Sequence, residues 1–268
     1  MFFFRLATLY QRGKFLVIVI CLGLPASAFA AAWVPLSLCY DSAITQVWSS
    51  DGQRGRLNRL FQMAQKKLNL PMLIEPLPWK RCLRDVSLGL KDGAIDASFN
   101  EERAAYASFP GMAQGKLDIS RRLRNGAYAL YRVRGTKADW NGKQFLNLTG
   151  PVAVQIGYSV IQDINKLGIA TDETPGGAEV VMRKLLAGRS QLAALISEEG
   201  DHLLQSQEFA EKIERLPLPI VEKPYFLIVN TGFYHAHTAQ IEQLWTTLAK
   251  LREASEQQAA RKKTAGRS

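Results

Sequence analysis

The sequence predicts an α/β fold in which two lobes of similar layout are joined by two strands. Strand-like and helix-like segments alternate along the chain after residue 33. The order of helix end, glycine and strand also occurs twice, around Gly93 and around Gly188. The composition, with 47% hydrophobic and 22% charged residues, is that of a globular protein and excludes disorder and fibrous repeats.

The first lobe is expected to begin with alternating strands and helices. Short apolar runs predict strands at residues 34–39, 72–75 and 94–99, and helices are predicted at 56–68 and 79–90. This order implies a parallel sheet with right-handed crossovers. The first helix has an apolar stripe at helical spacing that consists of Leu57, Leu60, Phe61, Ala64 and Leu68.

The same alternation restarts in the second half of the chain. Strands are predicted at residues 152–156 and 192–196, and a helix is expected to follow Gly157. A second apolar stripe ends at Gly188 and consists of Ala178, Val181, Met182, Leu185 and Leu186.

Two segments, residues 127–133 and 225–229, are long enough to cross between the lobes. If the second one crosses back, the last helix, at 238–251, packs on the first lobe. The prediction is one lobe formed by residues 31–126 and 230–252, a second lobe with the hinge strands at 127–229, and a basic flexible tail at 253–268.

The N-terminus has the pattern of a secretory signal peptide at residues 1–30. A basic region ends at Lys14, an apolar run extends from residue 15 to 24, and Ala28-Phe29-Ala30 supplies a cleavage site. Ten helical residues span only about 15 Å, half of a bilayer core. An uncleaved membrane anchor is the alternative. The pattern predicts an exported protein that begins near Ala31.

Export changes the expected state of the cysteines. Cys21 would leave with the signal peptide, so Cys39 and Cys82 remain as a pair in an oxidising compartment. A disulfide between them is predicted to contribute on the order of 4 kcal/mol to stability. Two buried free thiols are the alternative.

The charge and the motifs exclude several functions. The net charge is +10, but the basic residues at the C-terminus are not interleaved with aromatic ones, so no nucleic-acid partner is predicted. The sequence has three His, no Gly-x-Ser-x-Gly, no Cys pair at zinc spacing, and no phosphate or dinucleotide loop. We therefore expect no enzyme activity, no metal and no cofactor.

Several motifs follow one another in an order that is typical of a known family. In the first half these are Pro78-Trp79-Lys80-Arg81-Cys82, Gly93-x-x-Asp96, Asn100-Glu101-Glu102-Arg103 and Phe109-Pro110. Residues 150–159, 185–188 and 223–227 continue the match. Over most of its length after residue 33, the chain resembles the extracellular solute-binding proteins of family 3, the periplasmic, amino-acid-type binding components of ABC transporters.

The resemblance implies a type II periplasmic-binding-protein-like fold, in which two lobes joined by two hinge strands close on a ligand. It implies a periplasmic location and a small carboxylate or amino-acid-like ligand. The expected partner is a membrane ABC permease or a membrane sensor, and the expected state is a monomer.

The resemblance also implies where the ligand binds. In the family, an Arg after the third strand holds the α-carboxylate of the ligand, and Arg103 matches that position. A guanidinium suits a carboxylate because it donates in a planar, bidentate manner. The alternative is a surface residue paired with Glu101 or Glu102. Ser98 and Asn100 follow the same strand and are expected to add hydrogen bonds.

Aromatic and second-lobe residues complete the predicted site. Tyr40 and Trp48 follow the first strand, where the family places a residue that stacks on the ligand, and Trp79 follows the second strand. Core packing is the alternative for all three. Tyr158 and Ser159 are expected at a helix N-terminus, whose backbone N–H groups suit an anionic group.

One position departs from the family pattern. Amino-acid binders of the family offer a second-lobe Asp to the ligand's ammonium, and Glu198 is the expected substitute here. Glu198 is also the acid or base that an enzyme on the same fold, such as a periplasmic dehydratase, would use. A module that senses a ligand for a membrane signalling protein is a further alternative.

Overall fold

The computed structural model describes residues 33–44 and 53–265. The predicted signal peptide at residues 1–30 and the predicted stacking role of Trp48 lie outside the described residues. Among the helices of the described part of the chain, none has both the length and the hydropathy that crossing a membrane requires.

The first half of the chain forms the predicted alternation of strands and helices. The strand β1 pairs in parallel with both β2 and β3, as the strand–helix–strand order requires. In order, the elements are β1 (Leu36–Asp41), α1 (Gln53–Leu68), β2 (Met72–Leu77), α2 (Trp79–Ser87), β3 (Gly93–Ser98), α3 (Glu101–Ala104) and β4 (Ala107–Ser108).

The second half contains another set of strands and helices. These are β5 (Arg124–Val133), β6 (Asp139–Trp140), β7 (Phe145–Leu146), β8 (Val152–Gln155), α4 (Val160–Lys166), β9 (Thr171–Thr174), α5 (Ala178–Leu186), β10 (Ala193–Ile196), α6 (Ser197–Leu203), α7 (Gln207–Ala210) and β11 (Ile213–Arg215). The chain ends with β12 (Val221–Asn230), α8 (Thr231–Ala236) and α9 (Thr238–Ala265).

The strands β5 and β12 connect the two halves of the molecule. The sheet has the order β2-β1-β3-β12-β5-β10-β8-β9, so these two strands lie at its centre. Residues 124–128 of β5 pair with residues 221–225 of β12 in antiparallel fashion. Beyond that stretch β12 pairs with β3, and β5 pairs with β10. The two predicted crossing segments therefore lie within β5 and β12.

The last helix packs on the first half, as predicted. Leu57 and Phe61 of α1 belong to the same buried apolar cluster as Ile241 and Trp245 of α9. The Trp245 indole also donates a hydrogen bond to the carbonyl of Leu227 in β12 (2.9 Å). Burial of this face holds α9 against the sheet, because most helical stability in proteins comes from packing of an apolar face.

The helix α9 is longer than the sequence pattern predicted. The apolar stripe ends at residue 251, but the helix continues to Ala265, so residues 253–265 of the predicted flexible tail are helical. This stretch is rich in Glu, Gln, Ala, Arg and Lys, which have high helix propensity. Intrinsic propensity therefore extends the helix after burial has ended.

The helix α2 is shorter than predicted. It ends at Ser87, and Gly89, with φ of 71°, follows it. The expected stop signal, Gly93, is instead the first residue of β3. A Cβ at position 93 would come within 2.4 Å of the Ile228 carbonyl oxygen, so glycine here permits the close approach of β3 and β12.

The predicted disulfide is confirmed. Cys39 of β1 is bonded to Cys82 of α2, with a Cα–Cα distance of 5.8 Å, and both residues are fully buried. The bond joins the first strand to the helix that follows the second strand.

Candidate functional site

A small cavity lies between the two halves, at the carboxyl ends of β1 and β3. It leaves about 20 Å³ for the centre of a water molecule, which is room for about one water. Its lining combines charged, hydroxyl and aromatic groups from Asp41, Ile44, Trp79, Ile95, Asp96, Ser98, Arg103, Tyr128, Tyr158, Ile196 and Tyr225. Its small volume reflects direct contacts between the two halves.

Arg103 of α3 points inward rather than toward solvent. The residue is 3% exposed, and its Nη1 donates to the Ser98 carbonyl at 2.7 Å and to Ser98 Oγ at 3.3 Å. Its Nη2 donates to the Gly157 carbonyl in the other half at 3.0 Å. Burial lowers the pKa of the Arg103 guanidinium below its ordinary value. The alternative of a surface Arg paired with Glu101 or Glu102 is therefore wrong.

Arg103 has no carboxylate partner in the part of the chain that the structure describes. Its hydrogen bonds go to carbonyls and a hydroxyl, and no ion pair with Asp or Glu is formed among the described residues. The Trp79 ring lies 5.4 Å from the guanidinium carbon, within cation–π range. A buried guanidinium of this kind is suited to an anionic group that enters the cavity.

Asn100 has a local structural role. Its side-chain oxygen accepts a hydrogen bond from the Arg103 backbone N–H at 2.8 Å, so it is the N-cap of α3. Asn100 does not line the inner cavity. It therefore positions the backbone of Arg103. Because Asn100 also lines a wider cleft on the outer side of Arg103, its direct hydrogen bond to a ligand stays a prediction.

Hydroxyl groups face each other across the two halves. Ser98 Oγ of β3 lies 2.6 Å from Ser159 Oγ, which precedes α4. Burial raises the pKa of Tyr128 above its ordinary value. Burial also raises the pKa of Tyr225 well above its ordinary value. These groups are therefore neutral donors and acceptors near neutral pH.

Asp41, the last residue of β1, is a cavity residue that the sequence analysis missed. Its Oδ2 accepts a hydrogen bond from the Tyr158 hydroxyl of the other half at 2.6 Å. Its Oδ1 accepts from the Ala43 backbone N–H at 3.0 Å. Gln155 Nε2 in turn donates to the Tyr158 hydroxyl at 3.1 Å. Tyr158 thus links Asp41 to the second half of the molecule.

Tyr40 does not line the cavity. It is 5% exposed and belongs to the apolar cluster that contains Phe61 and Trp245. Successive side chains of a strand point to opposite faces, so Tyr40 faces the core and Asp41 faces the cavity. The alternation rule would have identified Asp41 if β1 had been extended to residue 41.

Asp96 and Arg124 form a buried ion pair beside the cavity. Arg124 Nε and Nη2 donate to the two Asp96 oxygens at 2.7 and 2.9 Å, a bidentate arrangement. The Arg124 guanidinium carbon lies 4.2 Å from the centre of the Tyr225 ring. Asp96 has φ of 69°, a left-handed conformation that Asp adopts more readily than most residues. Neither residue was predicted from the sequence as part of the ligand site.

Glu198 does not enter the cavity. Its side chain is 34% exposed, and Oε1 pairs with Arg124 Nη1 at 3.3 Å. It does not belong to the residues that line the space beside Arg103. In this arrangement Arg124 of β5 pairs with one Glu198 oxygen, and the substitution of Glu198 for the second-lobe Asp stays a prediction.

Lys223 of β12 completes the contacts around α4. Its Nζ forms an ion pair with Asp163 and lies 3.4 Å from Ser159 Oγ. Burial lowers the pKa of Lys223, and the hydrogen bond with Asp163 opposes that shift. The strand that joins the halves is thus also bonded to the helix behind the site.

A wider cleft of about 400 Å³ opens on the outer side of Arg103. Lys80 and Arg84 of α2 line one wall, and Ile161 and Gln162 of α4 line the other. The cleft shares Arg103 and Tyr158 with the inner cavity. A solute can therefore approach the buried guanidinium from this side.

No protein-family model matches the sequence, and no curated protein is significantly similar to it. Solved structures do resemble it. A histidine kinase sensor domain with similarity to periplasmic binding proteins has a TM-score of 0.65 and 16% identity, covering 86% of this chain and 96% of that one. The substrate binding protein of an amino acid ABC transporter has a TM-score of 0.60 and 13% identity, covering 84% and 95%.

The GluR0 ligand-binding core from Nostoc punctiforme, in complex with L-glutamate, has a TM-score of 0.61 and 14% identity, covering 84% of this chain and 96% of that one. At these identities the likeness establishes the fold. The predicted two-lobed, periplasmic-binding-protein-like α/β fold is confirmed.

Proposed function

We propose that the protein binds a small carboxylate or amino-acid-like ligand between its two lobes. The observation that carries this proposal is Arg103, which is buried between the halves and has no carboxylate partner among the described residues. Burial of an unpaired charge costs several kcal/mol. A ligand carboxylate offsets that cost because it accepts two parallel hydrogen bonds from the guanidinium.

The proposed binding mode uses closure of the lobes. We take residues 31–126 and 230–252 as one lobe and 127–229 as the other, with β5 and β12 as the hinge. In the described structure, Arg103 contacts Gly157, Ser98 contacts Ser159, and Asp41 contacts Tyr158 across the cleft. A ligand that contacts both lobes favours the closed arrangement and shifts the population toward it.

Delivery to a membrane ABC permease from the periplasm is the first candidate for the downstream step. The predicted signal peptide and the Cys39–Cys82 disulfide support export, because disulfides persist in oxidising compartments. The likeness to the substrate binding protein of an amino acid ABC transporter supports the transport role.

Ligand sensing for a membrane signalling protein is the second candidate. The likeness to a histidine kinase sensor domain, which the alignment covers over 96% of its length, favours it. Deleting the gene distinguishes the two roles. Loss of uptake of the bound solute supports transport, whereas unchanged uptake with an altered signalling output supports sensing.

We propose a binding protein rather than an enzyme. Glu198 is the acid or base that the dehydratase alternative requires, but its carboxylate pairs with Arg124 and does not line the inner cavity. Incubation of the protein with a bound carboxylate should therefore return the carboxylate unchanged, and a product lost in Glu198→Gln would contradict this proposal.

A thermal-shift screen of the purified mature protein tests the proposed function. The probes are the twenty L-amino acids and the carboxylic acids that lack their α-amino groups, with the corresponding amines, which lack the carboxylate, as matched controls. We expect at least one carboxylate-bearing probe to raise Tm, because binding to the native state stabilises it, by about 2.7 kcal/mol at a hundredfold excess over Kd. If no carboxylate raises Tm, or the amines raise it equally, the proposal is wrong.

A further inference from the structure

We propose that a groove between α1 and α9 is the docking site for an acidic amphipathic helix of a partner protein. The groove encloses about 580 Å³. Its described lining residues line neither the inner cavity beside Arg103 nor the wider cleft beside α2 and α4. The inference concerns a second site, so it can fail without affecting the proposed ligand binding.

Apolar side chains line the base of the groove. Leu57 and Leu60 of α1 and Leu123 are almost fully buried there, and Leu251 of α9 is half-buried. Met63, on the next turn of α1, lines the same groove and is 52% exposed. This surface offers burial to the apolar stripe of another helix, and a Met side chain adapts readily to the shape of its partner.

The C-terminal part of α9 forms the opposite wall. Ala254, Ser255 and Gln258 line the groove, although they lie beyond Leu251, at which the apolar stripe of α9 ends. Residues 253–260 are all exposed, so this part of the helix is not held by burial. Most helical stability comes from packing of one face against a neighbour. A helix docked in the groove would supply that packing, and the small side chains of Ala254 and Ser255 permit its close approach.

The length of the groove suits a short helical segment. Its α1 wall extends from Arg56 to Met63, and its α9 wall extends from Leu251 to Gln258. Each wall is roughly 10 Å long, which is two turns of a helix. A helix laid along these walls presents apolar anchors at positions i, i+3 or i+4, and i+7, the pattern of helix-in-groove recognition.

The charge of the groove determines the sign of its occupant. Arg56 and Arg59 lie on the exposed side of α1, and Arg56 forms no ion pair within residues 33–44 and 53–265. Glu256 is the one acidic residue among the described lining residues, and its Oε1 lies 3.6 Å from Arg252 Nε. Acidic side chains beside the apolar stripe of the occupant would complement this charge. A second copy of the chain, with a net charge of +10, would bring charge of the same sign.

Fluorescence anisotropy with labelled peptides is the first test. The probe is a peptide of about 15 residues built from Leu, Ala and Glu, with a Leu stripe at helical spacing and Glu on both sides of it. One control peptide has Lys in place of every Glu, and the other has the same composition in scrambled order. We expect the purified protein to bind the acidic peptide at least about tenfold more tightly than either control. Absence of binding, or equal binding of a control peptide, would overturn the inference.

Substitutions in the groove identify where the peptide binds. Arg56→Glu reverses a charge on one wall, and Met63→Asp places a carboxylate at the half-exposed apolar position. The matched controls are Arg189→Glu, at an exposed Arg, and Val180→Asp, at a Val of α5 that is 46% exposed. We expect each groove variant to bind the acidic peptide at least about tenfold more weakly and each control to bind it as the wild type does. An equal loss in the controls would indicate nonspecific attraction to a basic protein, which contradicts the inference.

Arg56→Glu also gives a result that a folding defect would not produce. The new carboxylate should attract the Lys peptide, so we expect this variant to bind that peptide about threefold or more tightly than the wild type does. If Arg56→Glu gains no affinity for the Lys peptide, the charge of the α1 wall does not select the occupant and the inference is wrong.

Two other occupants are distinguished with the same protein. Sodium decanoate, an anion with an apolar chain, is titrated against the bound peptide, and sedimentation equilibrium measures self-association. A monomer that prefers the acidic peptide to decanoate supports the inference. Tighter binding of decanoate would assign the groove to a small amphiphile, and a dimer that Met63→Asp dissociates would assign it to a second copy. Either of these results would overturn the inference.

Discussion

The inward orientation of Arg103 follows from contacts within a few residues of it. Asn100 caps the short helix α3, and this cap fixes the backbone from which the Arg103 side chain leaves. The Ser98 carbonyl accepts a hydrogen bond from Arg103 Nη1, and the Trp79 ring lies over the guanidinium. The side chain is therefore held in place before any ligand arrives, and such preorganisation reduces the entropic cost of binding.

Residue-level prediction from sequence agrees with the lining of the cavity where a position follows directly from a motif, and ligand contact by these residues stays a prediction. Arg103, Ser98, Trp79 and Tyr158 all line the cavity, as their motif positions implied. It did not anticipate that Glu198 pairs with Arg124, which lies 74 residues away in the chain. A local pattern contains no information about such a long-range ion pair.

The buried tyrosines give a prediction about alkaline pH. Burial raises the pKa values of Tyr128, Tyr131 and Tyr225, whereas tyrosines in the unfolded chain ionise near pH 10. Above that pH the folded state retains protons that the unfolded state loses. Stability from these residues is thus complete below about pH 10 and is lost as the pH rises. We expect Tm to fall steeply above pH 10.

Tyr131→Phe provides the comparison for this prediction, because it removes one of the tyrosines whose pKa is raised by burial. The decline of Tm between pH 9 and 11 should be shallower in this variant than in the wild type. Tyrosinate absorbance from the buried residues should appear only as the protein unfolds. Full tyrosine ionisation near pH 10 in a protein that is still folded would refute this explanation.

At the scale of elements, hydrophobic periodicity and the alternation of strand-like and helix-like segments predicted the order of strands and helices well. The apolar stripe of α1 is buried as expected, and β1 lies between β2 and β3 in a parallel arrangement. The boundaries were less accurate, because a helix end depends on propensity and caps as well as on burial. The helix α9 continues beyond its apolar stripe because strong helix formers follow it. The helix α2 ends near Gly89, before the expected stop at Gly93.

The disulfide between β1 and α2 joins two elements, and its contribution to the free energy of unfolding can be measured separately. The two cysteines are 43 positions apart, so the bond closes a long loop of the unfolded chain. We expect the Cys39→Ala/Cys82→Ala variant to lose about 2–4 kcal/mol of unfolding free energy in urea titrations. Reduction of the wild type should have a similar effect and should leave the variant unchanged. Equal stability of the variant and the oxidised wild type would show that the bond does not stabilise the fold.

At the scale of the whole molecule, the two halves share one continuous sheet through β5 and β12. The repeated order of helix end, glycine and strand around Gly93 and Gly188 predicted two similar halves. The two predicted crossing segments lie within β5 and β12. The sequence did not reveal that the halves contact each other directly through Arg103 and Gly157, Ser98 and Ser159, and Asp41 and Tyr158. Those contacts depend on how the hinge brings distant residues together, which no local pattern specifies.

Calorimetric titration of Arg103→Ala with the L-amino acid that gives the largest thermal shift tests the central claim most directly. The matched control is Arg183→Ala, which removes an exposed Arg that pairs with Glu179 and Glu208 on the surface. Loss of one partner of a buried charge pair costs about 3–5 kcal/mol. We therefore predict that Arg103→Ala binds about a hundredfold to several-thousandfold more weakly, whereas Arg183→Ala binds as the wild type does. Unchanged affinity in Arg103→Ala would contradict the account.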